Sequence, residues 1–210
     1  DIPFGEDGDF QQKRFCELVN NDLANTIGNL LNRSVSMARK WFAGGVPPRG
    51  EATSRDHPLA VACLEASSQM ERSMEGLDFR RAAEAVLGLA ETANGFLNVQ
   101  APWTRMKQPG QEASVGEDLY AVLESCRWIG VLLTPLLPDL SQRVLAQLDC
   151  APIPCEALWP AASDETAAQR AAALTRAAWD DARRWAVLPS PAPLPEATPV
   201  MQRLEVLDPL

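Results

Sequence analysis

The sequence is short of the residues that most enzymes use for chemistry. Histidine occurs once, at His57, tyrosine once, and lysine three times, at Lys13, Lys40 and Lys107. A lone His57 beside Pro58 leaves no Ser/His/Asp or Cys/His arrangement to assemble, and it reads as a first-turn surface residue. Cys16, Cys63, Cys126, Cys150 and Cys155 form no CxxC pair and have no zinc-type spacing with histidine, so no metal site is expected. An odd set of thiols within apolar helical patterns favours reduced, buried cysteines in an intracellular reducing compartment. Cytosol, plastid stroma and mitochondrial matrix fit equally. No stretch approaches the about 18 consecutive apolar residues that a bilayer span needs, so no membrane partner is expected. No Walker loop or GxGxxG motif follows a strand, and Gly44, Gly45 and Gly50 lie among prolines where a turn explains them. The neighbouring acids Glu117 and Asp118, or Asp180 and Asp181, read as solvated helix faces. No catalytic or cofactor-binding residue is assigned.

What is present is globular composition: 210 residues, 46% hydrophobic and 22% charged, with a formal net charge of −9. Such an acidic chain cannot grip nucleic acid through a general field, so any RNA contact must be local and specific. The chain starts at Asp1 without Met and without a basic-then-apolar leader, which suggests a cut or processing point there.

The periodicity is helical throughout. From Phe10 to Phe42 there is no proline, and Leu23, Ile27, Leu30, Ser34, Met37 and Trp41 recur at helical spacing, which predicts one long amphipathic helix. GGVPPRG stops it. Asp56 is placed to cap a second helix with Pro58 in its first turn and Leu59, Cys63, Ala66, Met70 and Met74 as its stripe. Asp78 is placed to cap a third, with Phe79, Ala83, Val86, Ala90, Ala93 and Leu97 as its seam and Pro102 as its end. Ser114 and Glu117 have capping-box spacing before a fourth helix through Leu119, Leu123, Cys126, Ile129 and Leu133, closed by Pro135. Pro138 opens a short fifth. Residues 164–186 form an Ala-rich peripheral helix with Leu174, Trp179 and Trp185 as anchors. The last 22 residues carry six prolines and end in Met201, Leu204, Val206 and Leu207, an extended tail in search of a surface. The expected fold is all-α, a helix bundle of about five helices with a Pro-rich C-terminal extension.

Two places carry polar chemistry beyond what packing needs. Asn21, Asn25, Asn29, Asn32 and Arg33 cluster on the first helix, although Asn competes for backbone hydrogen bonds and forms helices poorly. Asn29 and Arg33 are one turn apart, so an amide and a guanidinium share a face and could read a base edge. Asparagines bonded to neighbouring loops fit the row as well. In NVQAPWTRMK, residues 98–107, Pro102 forbids continuation of the helix and Trp103 follows in a loop with Arg105 and Lys107 nearby. An exposed indole there could stack a splayed base of single-stranded RNA. An indole plugging the bundle end is the other reading.

Taken together, PFGEDGDF at 3–10, VNNDLANTIGNLLNR at 19–33, NVQAPWTRMK at 98–107 and LLTPLLPDLSQRVLAQL at 132–148 resemble the C-terminal anticodon-binding domain of methionyl-tRNA synthetases of bacterial and organellar type. PVMQRLEVL near the end resembles the segment that closes the family's core. The resemblance implies the helix bundle of class I synthetases. It implies that Asn29 and Arg33 hydrogen-bond anticodon bases while Trp103, positioned by Pro102, stacks on the first anticodon base of a methionine tRNA with the CAU anticodon. Asn25, Arg105 and Lys107 are then candidate supporting contacts.

The resemblance also sets expectations for organisation. Asp7, Gly8 and Phe10 match the passage from the family's catalytic domain, so residues 1–10 are a junction, 11–150 the bundle, and 151–210 a linker, peripheral helix and tail. Residues 149–186 are less family-like, and the WGxLxxG pattern is reduced to Trp185, Ala186 and Leu188. Adenylation in the family needs a HIGH-like signature and a KMSKS-like loop, which one histidine and three lysines do not supply. ATP would therefore bind a catalytic domain upstream, the implied partner together with methionine tRNA. The alternative is a noncatalytic synthetase-derived module, a structural or RNA-binding subunit of a larger, organellar assembly that meets protein partners through 151–210.

Overall fold

A computed structural model describes residues 5, 7–153 and 176–205. The first helical rod runs from Gln12 to Trp41 in three registers: α1 (Gln12–Leu18), a π-helical stretch (Val19–Gly28) and α2 (Asn29–Trp41). The expected single α-helix is thus corrected in its middle. One local and one distant side chain support the π turn: Thr26 Oγ1 donates to the Asn21 carbonyl at 2.9 Å, five residues back, and Asn94 Nδ2 donates to the Thr26 carbonyl at 3.0 Å. Side-chain donors satisfy the carbonyls that the wider turn leaves loose. Ala43, with φ 50°, and Gly44, with φ 81°, then end the rod in the left-handed region.

A short 3₁₀ turn (Gly50–Thr53) leads into α3 (Pro58–Glu75), which pairs with α4 (Phe79–Gln100). The α3 cap is His57, not Asp56: its Nδ1 accepts the Leu59 amide at 3.2 Å, while the Asp56 amide is held by Ser54 Oγ. His57 is half-buried rather than a surface residue, stacked on Trp185 at 6.0 Å and edge-on to Phe96 at 5.4 Å between ring centroids. Burial pushes its pKa down. Asp78 caps α4 as expected, accepting the Arg81 amide at 3.0 Å. In its seam Val86, Ala90, Ala93 and Leu97 are buried, but Phe79 is exposed.

A single turn, α5 (Pro102–Arg105), precedes α6 (Glu112–Leu133) and α7 (Pro138–Ala146). Every residue of α6 from Leu119 to Leu133 is buried, so this helix is the axis of the bundle, mostly apolar but with Glu124, Ser125 and Arg127 among its buried residues. It begins before the expected capping box, after Gln111 and without a side-chain cap, because Ser114 Oγ accepts from Arg105 instead. Among the described residues there is no strand, only a bridge between Gly45 and Pro193. Gly45 is required there, since a Cβ would stand 2.3 Å from the Ala192 carbonyl oxygen.

The C-terminal residues finish the core rather than standing apart from it. Leu188, Leu194 and Val200 are buried in the same cluster as α2, α4 and α6, and Trp185 Nε1 donates to the Ala52 carbonyl at 2.8 Å. The buried pair Glu124 and Arg127 fastens this return: Arg127 donates to the Ala182 and Arg184 carbonyls while Glu124 accepts the Val187 and Leu188 amides. Tyr120 donates to the Leu188 carbonyl at 3.0 Å. The expected tail therefore covers its own bundle as far as Glu205. Leu174, Val206 and Leu207 lie outside the described residues.

Candidate nucleic-acid interface

The site is built where the start of α2 meets the end of α4. Asn29 and Arg33 are both exposed on α2, one turn apart. At the other side, Ala101 takes φ 43° and ψ 55° and turns the chain sharply out of α4. That left-handed conformation costs a residue with a Cβ roughly 1–2 kcal/mol. The turn is held in place by its neighbours: the Ala101 carbonyl accepts the Thr104 and Arg105 amides, and Pro102 is buried as the first residue of α5. Pro102 supplies a fixed φ and needs no N–H partner there.

The consequence is the placement of Trp103. The indole is 38% exposed, not sunk in the bundle end, and the Arg33 guanidinium lies over it, Cζ to ring centroid 5.3 Å. That distance is within cation–π range. Arg33 Nη2 also donates to Asn98 Oδ1 at 3.4 Å, one turn of α4 before the loop. Sequence reasoning named Arg33 and Trp103 but not Asn98, although Asn98 opens the same NVQAPWTRMK segment. A planar cation and a flat aromatic thus meet at an exposed surface, with Asn29 exposed one turn before Arg33 on α2. Unpaired bases are recognised by stacking and by edge hydrogen bonds, which are the two things these groups offer.

The supporting residues divide. Lys107 is exposed. Arg105 is turned inward, donating to Gln100, Gln111, Ser114 and Asp118. Asn25 is half-buried, and its amide oxygen accepts from Arg203 at 2.7 Å. Asn20 pairs with Leu204 through both its amide groups, at 2.9 Å and 2.7 Å. The tail thus holds Asn25 of the row and Asn20 just before it, the packing explanation, while Asn29 and Arg33 are left exposed. The tail partners gave no signal in the sequence, since they come from 178 and 184 residues away.

Among the described residues no group of histidine, cysteine or acidic side chains could hold a metal. Burial pushes the Cys126 thiol up to about 12, and it pushes Cys63 up as well, so neither is a poised nucleophile. No helix among the described residues is long and apolar enough to cross a membrane.

Comparison with known proteins converges on one family. Residues 46–171, more than half the chain, match the model of the anticodon binding domain of methionyl tRNA ligase. The methionine–tRNA ligase of Thermosynechococcus vestitus is 36% identical over 97% of this chain and 36% of its own length. Those of Synechocystis and Bacillus subtilis are 39% and 36% identical over 70% of the chain, covering 28% and 22% of their own lengths. The free-state crystal structure of Mycobacterium tuberculosis methionyl-tRNA synthetase superposes with a TM-score of 0.77 at 27% identity, over 98% of this chain and 37% of that one. The chain thus spans about a third or less of the length of the curated relatives it matches. Segment 149–186, less family-like to the eye, falls inside the Thermosynechococcus and Mycobacterium matches for nearly all its length. With the family model, the curated relatives and the fold in agreement, this chain belongs to the methionyl-tRNA ligase family and carries its anticodon-binding domain.

Proposed function

We propose that the chain recognises the CAU anticodon of methionine tRNA, with Trp103 stacking the first anticodon base and Asn29 and Arg33 bonding base edges. One observation carries this reading: the Arg33 guanidinium lies 5.3 Å above an indole that is 38% exposed. A base can stack on either plane, and aromatic stacking contributes about 1–3 kcal/mol per base. Each edge contact would add a similar amount, about 1–3 kcal/mol. The surroundings favour short-range recognition. The chain carries −9 overall, but α2 has no acidic residue, so the face that meets RNA is locally basic.

Arg105 and Asn25, bound internally, drop out of the contact set, and Lys107 remains. ATP-dependent aminoacylation is assigned to a catalytic domain outside these 210 residues, joined through residues 1–10. Exposed Phe10 and Phe15, with ring centroids 5.7 Å apart, sit beside that junction and suit a protein neighbour. The test is binding of a CAU stem-loop to the native chain and to Asn29→Ala, Arg33→Ala and Trp103→Ala. Each substitution is expected to weaken binding at least about fivefold, the lower end of the about 1–3 kcal/mol per contact; equal affinity throughout, or indifference to the anticodon sequence, rejects the reading.

A further inference from the structure

Arg105 follows Trp103 by two residues, and its guanidinium is engaged by protein on every side. Nη1 donates to Gln100 Oε1 at 2.8 Å, to the Gln100 carbonyl at 3.5 Å and to Asp118 Oδ2 at 2.5 Å. Nη2 donates to Ser114 Oγ at 2.6 Å and Nε to Gln111 Oε1 at 3.3 Å. Gln100 is the last residue of α4, whereas Gln111, Ser114 and Asp118 lie at the start of α6. The partners therefore stand on both flanks of the loop that carries Trp103. Only a planar fork with five donors can reach all of them; a lysine offers three donors from one point. The ion pair is shielded, with side-chain exposures of 22% for Arg105 and 16% for Asp118.

Ala101 makes such a fastening necessary. Its left-handed φ of 43° is one that alanine does not choose, and a strained turn persists where the surroundings over-determine it. Buried Pro102 and the flanking bonds from Arg105 do that here.

We propose that Arg105 is a positioning residue for Trp103. It clamps the end of α4 to the start of α6, presenting the indole beneath Arg33 before RNA arrives, and it makes no RNA contact itself. The gain is preorganisation: a loop fixed beforehand loses less freedom on binding. This rests on the anticodon-reading role of Trp103 proposed above.

The test is a double-mutant cycle on the dissociation constant for a CAU stem-loop, using the native chain, Trp103→Ala, Arg105→Gln and the double variant. Arg105→Gln is expected to weaken binding roughly tenfold alone and less than twofold in the Trp103→Ala background, because coupled residues are not additive. The slope of log affinity against log salt should stay unchanged, whereas loss of one phosphate contact would lower it by about 0.7. Asp118→Asn breaks the clamp without removing a cation and should reproduce the pattern; it carries the cycle alone if Arg105→Gln fails to fold. Additive losses, a slope change of that size, or native affinity in both variants would overturn the clamp. A native chain that does not prefer CAU over another anticodon refutes the anticodon reading instead.

Discussion

Replacing Glu124 by glutamine should be the most costly conservative change in the protein. The carboxylate is fully buried and accepts four hydrogen bonds: Arg127 Nε at 3.0 Å, Arg127 Nη2 at 2.7 Å, the Val187 amide at 3.3 Å and the Leu188 amide at 3.1 Å. An amide keeps one acceptor oxygen and turns an NH₂ toward donors on the other side. Arg127, only 5% exposed, is left with an uncompensated charge. Breaking a buried pair from one side costs about 3–5 kcal/mol, a large share of the roughly 5–15 kcal/mol that holds a domain folded. At roughly 2–4 °C per kcal/mol for a chain of this size, Tm should fall by roughly 6–20 °C. Glu124→Leu with Arg127→Met should recover only part of this. Ion pairs replaced by apolar residues are often neutral, but here the buried Leu188 amide loses its partner, worth about 1–3 kcal/mol. Urea unfolding followed by far-UV circular dichroism compares both variants with the native protein. A loss below about 1 kcal/mol for Glu124→Gln, or full rescue by the double variant, would refute the view that this pair fastens the C-terminal return to α6.

Gly130→Ala should lower the urea midpoint by the equivalent of about 1 kcal/mol, because its Cβ would lie 3.0 Å from Leu145 and Val144 carbons where α7 crosses α6, and overpacking outweighs the gain in helix propensity. His57 supplies a pH dependence: its folded pKa lies below the ordinary 6.5, so its contribution is full above pH 6.5 and is lost as pH falls through the folded value. His57→Asn, which can still cap α3, should flatten the stability profile in that acid range; an unchanged profile would show that other groups set it. Maleimide labelling of the native protein, read by mass spectrometry, should leave Cys63 and Cys126 unmodified, since burial raises both thiols; rapid labelling of either would contradict their place in the core.

Local chemistry made much of the fold legible. Prolines and glycines punctuate the helices at 42–50, 76, 102, 135 and 138, and Asp78 caps α4 because an Asx side chain satisfies a first-turn amide whatever surrounds it. The capping residue of α3 was misplaced by one, since an imidazole accepting an amide through Nδ1 is a rarer device than an aspartate. The π turn was hidden too, because it depends on Asn94 of a distant helix donating to Thr26.

For the candidate site, residue type and spacing could only nominate Asn29, Arg33, Pro102 and Trp103, because an i, i+4 pair shares a face and a proline ends a helix by covalent geometry alone, and a packing role fitted each as well until the family resemblance singled them out. Which polar side chains remain open is a different kind of question. Asn25 and Arg105 carry the same chemistry as Asn29 and Arg33, and nothing local separates the two pairs. Their fates were settled by partners at long range, Arg203 for one and Asp118 for the other. Local periodicity and termination signals therefore fixed the helices and the composition of the loop. The stacking of Arg33 on Trp103, and the bonds that tie Asn20 and Asn25 to the tail, arise only when the chain closes on itself, since hydrogen-bond partners are assigned by proximity in space.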